Sequence, residues 1–245
     1  MTRPTLSGQV AVVAGATGAI GQAVCTALAN NGARLCLLGR DPDTLDVLAK
    51  SVRRSSDDAV GIYRVDFTRD ETITTLTDRL GREVDRIDLL IHSAGSFEMG
   101  PHDEASIAAL DHQYRTNVRG PYLLTQALLP RLRASHGQIV FMNSTVGLEA
   151  RAGVGQYAST QHALRAVADA LRAEVNADGV RVLTLYLGRT ATARQERIFR
   201  LEGRSYWPEL LVQPDDVAQM VMAALLLPRT AEVTEIRIRP LVKSY

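Results

Sequence analysis

The chain has 245 residues, 46% hydrophobic and 22% charged, with a formal net charge of +1. That length buries a large core within a single domain, 1–245, and the near balance of charge excludes a broad electrostatic affinity for nucleic acid or an anionic membrane. No apolar run reaches membrane length, and the N-terminal "MTRPTLSGQVAVVAGATG" is too short and too interrupted by glycine for a signal peptide, so a soluble cytoplasmic protein is expected.

Strand-like and helix-like patterns alternate from the first residues on. The run "QVAVVAGA" (9–16) is a predicted strand, and the turn "AGATGAIGQAV" leads from it into a predicted helix with Gly15, Gly18 and Gly21 at intervals of three. Glycines there permit a tight turn and a close backbone approach, while the helix start offers N–H donors to phosphates. Gly15, Thr17, Gly18, Ile20 and Gly21 are therefore candidate cofactor-binding residues. Cys25 in this helix and Cys36 in the next strand lie among apolar neighbours. Both read as buried free thiols rather than as a disulfide or metal site, in keeping with a reducing cytosol.

The second strand, "ARLCLLG" (33–39), ends at Gly39 and Arg40. An acidic residue at this place would accept bonds from the ribose hydroxyls of NAD, whereas the Arg40 guanidinium suits a 2′-phosphate, so NADP is preferred over NAD. Asp41 is assigned to the N-cap of the next helix, with Pro42 at its first position. The plainer alternative for Arg40 is a solvated surface side chain. After the helix "TLDVLAKSVRR" come strands "AVGIYRV" (59–65), "IDLLIHSA" (87–94) and "GQIVFMN" (137–143), the helix "QHALRAVADALRAEV", and strands "VRVLTLYL" (180–187) and "VTEIRIRP" (233–240). Apolar strands joined by helices predict an α/β, doubly wound, mostly parallel seven-stranded sheet with helices on both faces. Residues 188–213 break the alternation and read as a substrate-side lid. Its Ile198, Phe199, Leu201, Tyr206 and Trp207 suggest an apolar pocket wall, or else the packing of a small helical lid or a subunit contact. No metal-ligand spacing links His92, His102, His112, His136 and His162, so structural or solvent-facing roles are expected of them.

The glycine turn, "VDFT" (65–68), "HSAG" (92–95), "TNVRG" (116–120), "NSTVG" (143–147) and "YASTQ" (157–161) resemble, in order and spacing, the short-chain dehydrogenase/reductase family over about residues 6–240. The resemblance implies a Rossmann-like sheet, a nicotinamide cofactor across its carboxyl edge, a small carbonyl or alcohol substrate, and a homodimer or homotetramer. It implies that Asp66, with Phe67 beside it, meets the adenine ring, and that Ala94 and Gly95 pass the adenine ribose. It further implies that Asn117 holds a water in a proton relay, that Ser144 holds the substrate oxygen, and that Tyr157 is the acid/base. Gly188 and Thr190 match the loop that closes over the nicotinamide. The chain departs from the family pattern at His92, at Leu187 and above all at Gln161, where the family has a lysine. On residue chemistry alone, Asn117 can instead satisfy backbone groups, Ser144 can cap its turn, and Tyr157 can be a core aromatic.

Tyr157 and Gln161 are one helical turn apart and share a face. Glutamine can keep the lysine's hydrogen bond to the cofactor ribose but not its charge. An unshifted tyrosine, pKa about 10, is roughly 0.1% phenolate at neutral pH, against roughly 10% after a two-unit drop. Alcohol oxidation, which needs phenolate, suffers more than carbonyl reduction. Lysine occurs only at Lys50 and Lys243. The other cations weighed as replacements are Arg165, two turns from Tyr157, and Lys243 near the C-terminus, and neither is an obvious substitute. The sequence thus predicts an NADP-dependent carbonyl reductase or alcohol dehydrogenase impaired by Gln161. The alternatives are a cofactor-binding pseudoenzyme and a non-redox dehydratase, isomerase or cyclase.

Overall fold

The computed structural model describes residues 5–53 and 60–242. Seven parallel strands stand within these residues: β1 (Val10–Ala14), β2 (Arg34–Gly39), β3 (Val60–Arg64), β4 (Leu89–His92), β5 (Gln138–Ser144), β6 (Arg181–Leu187) and β7 (Glu235–Ile238). They form one sheet in the order β3-β2-β1-β4-β5-β6-β7. Every pairing is parallel, so the mostly parallel sheet expected from sequence is wholly parallel among the described residues. All seven expected strands are present. The first residue expected of β3, Ala59, lies outside the described residues, as does Arg54 at the end of the helix expected there.

The helices are α1 (Ala19–Asn30), α2 (Pro42–Arg53), α3 (Asp70–Glu83), α4 (Ile107–Tyr114), α5 (Gly120–Ser135), α6 (Gly155–Val175), α7 (Ala193–Leu201) and α8 (Pro214–Leu225). Alternation along each strand divides the core between two faces. In β1, Ala11 and Val13 join α1, α2 and α8, whereas Val10, Val12 and Ala14 join α3, α5 and α6. That is why the strands read as unbroken apolar runs. Cys25 and Cys36 are buried free thiols. Burial drives the Cys25 thiol far above its ordinary range and that of Cys36 up to about 11. No described helix is long and apolar enough to cross a membrane.

Strand order reverses between β1 and β4, and the loops leaving these neighbours open a crevice at their carboxyl ends. The backbone passes very close to itself there. Gly15 has φ 78°, and a Cβ on it would lie 2.4 Å from the Ala94 nitrogen. A Cβ on Gly21 would lie 2.2 Å from the Gly15 carbonyl oxygen, so α1 can reach the turn only without a side chain. Gly21→Ala is expected to cost about 1–3 kcal/mol of stability, read as a lower urea midpoint with an unchanged slope. An unchanged midpoint would show that α1 can back away from the turn.

Candidate active site

Gly18 is the N-cap of α1, with no side chain bonded to the helix and no acidic residue in its first turn. The first N–H groups of a helix have no partner within it and carry the positive end of its dipole. The Gly18 N–H donates to the Gly15 carbonyl at 3.2 Å, while Ala19, the first residue of α1, is exposed, so the helix start itself is open, the geometry that receives a phosphate. The Thr17 carbonyl is occupied by Gln22 Nε2 at 2.8 Å.

Arg40, exposed, follows β2. Asp41 caps α2 as expected, its carboxylate accepting from the Thr44 hydroxyl and from the Asp43 N–H at 3.1 Å. Those bonds, the Thr44 one first, hold its carboxyl below the usual range. Beyond β3, Asp66 accepts from the Thr68 N–H at 3.0 Å and the Thr68 hydroxyl at 2.7 Å. Burial pushes the Asp66 carboxyl up, but the Thr68 bonds and the Arg40 charge outweigh it and the net shift is downward. Arg40 and Asp66 therefore stand near one another at the end of the crevice. Phe67 is 6% exposed, with its Cβ under Gly120, so its ring packs in the core. An open helix start, a turn with no room for a Cβ and an exposed cation after β2 together fit a phosphorylated dinucleotide.

Tyr157 and Gln161 lie on one face of α6 and line a cavity of about 260 Å³ together with Ser144 at the end of β5. Polar side chains fix this arrangement. Asn143 Nδ2 donates to the Gln161 carbonyl at 2.9 Å, and its Oδ1 accepts from the Ser144 N–H at 2.6 Å, tying β5 to α6. Asn117, 2% exposed, sits in a π-helical turn, Arg115–Arg119. Its Oδ1 accepts from the Ser96 N–H at 2.7 Å, and its Nδ2 donates to the Ser96 carbonyl and the Thr160 hydroxyl, both at 3.0 Å. Thr160 donates in turn to the Tyr157 carbonyl at 2.8 Å. The Asn117 amide is thus committed to holding the turn after β4 against α6, whatever its backbone does. Ser144 also caps its own turn, its Oγ accepting from the Val146 N–H at 3.4 Å.

The Tyr157 ring meets Phe97 edge-on, 4.9 Å between centroids. Burial raises the phenol above its ordinary pKa, and the Arg194 charge and the hydrogen bond with Ser144 oppose the rise without cancelling it. Gln161 is 4% exposed, and its amide makes only a long contact, 3.4 Å, to the Thr160 hydroxyl. It brings no charge to the phenol.

Of the remaining candidates, Ile20, Ala94, Gly95, Asn117, Gly188 and Thr190 line the same cavity. Gly15, Thr17, Gly18, Gly21, Arg40, Asp66 and Phe67 do not, and Phe67 and Gly21 are buried. The segment 188–213 does form a wall, but a more polar one than its sequence suggests. Of Ile198, Phe199, Leu201, Tyr206 and Trp207, only Ile198 lines the cavity. Phe199 is 2% exposed between the Arg189 and Arg204 guanidiniums and beside Tyr206, while Leu201 and Trp207 are exposed. Packing within the segment therefore accounts for Phe199 and Tyr206. Apolar lining comes instead from Phe97, Met99, Met142, Val146 and Val154. Asn143, Thr160 and Arg194 were missed in the sequence. Asn143, next to Ser144 in "NSTVG", was the nearest to being legible.

A doubly wound parallel sheet with a glycine turn after its first strand and a tyrosine–serine pair at its carboxyl edge is a Rossmann-like α/β scaffold. A family profile described as short chain dehydrogenase matches residues 9–202, and the chain belongs to the short-chain dehydrogenase/reductase family of oxidoreductases. An uncharacterised oxidoreductase of Staphylococcus saprophyticus is 30% identical over 237 residues, 96% of this chain and 98% of that protein. An alcohol dehydrogenase from the archaeon Thermococcus sibiricus, solved with 5-hydroxy-NADP, superimposes with a TM-score of 0.87 at 26% identity, covering 97% of this chain and 98% of that one. A putative short chain dehydrogenase from Escherichia coli CFT073, complexed with NADPH, gives 0.88 at 26% identity over 97% and 99% of the two chains.

His92 ends β4 beneath the site. Its Nε2 lies 2.8 Å from the Thr125 hydroxyl, and its ring stacks on Phe141 with 4.8 Å between centroids. Burial lowers its pKa to about 3 from an unfolded value of 6.5. The folded state therefore refuses a proton that the unfolded chain accepts. The resulting stability is full above about pH 6.5 and is lost toward about pH 3, by about 1.4 kcal/mol per pH unit. His92→Asn is expected to flatten this acid limb, measured by urea unfolding from about pH 4 to pH 7. A limb as steep as that of the wild type would assign acid sensitivity to other groups.

Proposed function

We propose that the protein is an NADP-dependent carbonyl reductase or alcohol dehydrogenase whose proton donor is Tyr157, working without the family's lysine because Gln161 stands in its place. The observation that carries this reading is the convergence of Tyr157, Ser144 and Gln161 on one cavity at the switch point of the sheet. The hydride chemistry is that of a bound nicotinamide. Tyr157 gives its proton to the substrate oxygen as charge gathers there, and Ser144 donates a hydrogen bond to the same oxygen. The apolar side chains of Phe97, Met99 and Val154 keep water from that oxygen. Segment 188–213 serves as the lid. Because the phenol is raised, Tyr157 is protonated at neutral pH, which favours reduction. Alcohol oxidation needs the phenolate and climbs toward alkaline pH, about tenfold per unit below the phenol's ionisation.

A panel of ketones and aldehydes followed by NADPH absorbance tests the reading. Wild type is expected to turn over slowly, Tyr157→Phe to lose about 10²–10⁴-fold, and Gln161→Lys to gain in rate, most strongly in alcohol oxidation. NADPH binding without turnover by either wild type or Gln161→Lys would favour a cofactor-binding pseudoenzyme. Product formation without NADPH consumption would favour non-redox chemistry.

Cofactor preference has a separate test. The exposed Arg40 near Asp66 supports pairing with a 2′-phosphate, a charge-assisted contact worth about 1.5–3 kcal/mol. Arg40→Ala is therefore expected to raise the Kd for NADPH roughly 10- to 100-fold and to leave NADH binding unchanged. Equal losses for both cofactors would remove Arg40 from the specificity argument.

A further inference from the structure

We propose that Arg194, at the start of α7, is the cation that serves Tyr157 in place of the missing lysine. Arg194 acts through the tyrosine and not on the substrate, and the inference rests on Tyr157 being the proton donor.

Three observations converge on it. Arg194 lines the same cavity as Tyr157 and Gln161. Its guanidinium does not hang free, because Nη2 donates to the Gly95 carbonyl just beyond β4, and Nη1 lies 3.8 Å from where a Gly95 Cβ would stand. The neighbouring Ser96 backbone is held on both its N–H and its carbonyl by Asn117, so the arginine is anchored to a rigid part of the site. Finally, Arg194 is the second residue of α7, whose N-cap is Thr192 accepting from the Gln195 N–H at 3.2 Å. A cation in the first turn opposes the helix dipole. Its placement is thus not explained by the helix.

The other charges around the phenol do not compete. Arg189 is paired to Glu202 through bonds of 2.9 and 2.8 Å. Arg151 is exposed at the cavity rim. The cavity-lining residues of β5 (Met142, Asn143 and Ser144) and, beside Tyr157, of α6 (Gln161 and Leu164) carry no charge. The buried His92 remains neutral. Arg165 pairs with Asp169 at 3.6 Å and acts on Tyr186, and Lys243 lies outside the described residues. Among the described charged groups, Arg194 is the one that opposes the burial of the Tyr157 phenol.

A cation here favours the phenolate when the phenol releases its proton to solvent. The test is a tyrosinate ultraviolet titration of the cofactor-free protein, in which subtraction of the Tyr157→Phe curve isolates the Tyr157 step. In Arg194→Gln the step is expected at higher pH than in wild type. Arg194→Lys should keep it near the wild-type position, and Gln161→Lys added to Arg194→Gln should bring it down again. Alcohol oxidation below that step should fall about three- to tenfold in Arg194→Gln. Because Arg194 is exposed, added salt should also move the step upward in the unmodified protein, a readout that needs no variant to fold. Superimposable titrations of wild type and Arg194→Gln would overturn the proposal. So would a loss of NADPH affinity in Arg194→Gln with no movement of the step, which would assign the arginine to the cofactor phosphates. A protein that turns over no carbonyl compound yet shows the expected titration shifts would instead overturn the reductase reading and leave the charge assignment standing.

Discussion

The close approach of the turn after β1 to the start of the loop after β4 is the constraint on which the rest of the site depends. Gly15 rests on the backbone of Ala94 with no space for a Cβ, and Gly21 rests on Gly15 in the same way. These two contacts set α1 with its open N-terminus pointing into the crevice. They also fix where Ala94 and Gly95 leave the sheet. Everything that follows Gly95 inherits that position: Ser96 is clamped by Asn117, Asn117 bonds Thr160, and Thr160 bonds the Tyr157 carbonyl. The start of α1 and the Tyr157 phenol are thus held in one frame by backbone packing and a short chain of amide and hydroxyl bonds.

Within that frame the electrostatics are unusual. Burial raises the Tyr157 phenol, and the group one turn further along α6 is an uncharged glutamine. The charge proposed to serve the phenol is carried on a separate element, by Arg194 on α7, which lines the same cavity. A lysine at position 161 would be carried on the same helix as the tyrosine and move with it. Arg194 belongs to α7, so the proposed assignment ties the tyrosine's acidity to an element other than its own helix.

Much of the fold was legible because β1, β2, β4, β5 and β6 are buried on both faces and therefore read as continuous Val, Ile and Leu runs. The glycine turn was legible because close backbone approach leaves a glycine signature, and the Asp41 cap because Asp-Pro at a helix start has a local cause. Tyr157, Ser144 and Gln161 were legible through their ordered motifs. Arg194 was not, since its partner Gly95 is 99 residues away and an arginine in a polar helix carries no local signal. The same distance hid the work of Asn117, whose bonds to Ser96 and Thr160 span 21 and 43 residues. Phe199 misled for the opposite reason. Its apolar ring suggested a pocket wall, but two guanidiniums of its own segment cover it.

The most direct measurement is a single turnover of a carbonyl substrate with NADPH deuterated at the transferable position. The account predicts that the deuterium appears on the carbinol carbon of the product alcohol, and that Tyr157→Phe still binds the labelled cofactor but forms the labelled alcohol far more slowly. An unlabelled product, or labelled alcohol formed at the same rate by Tyr157→Phe, would contradict it.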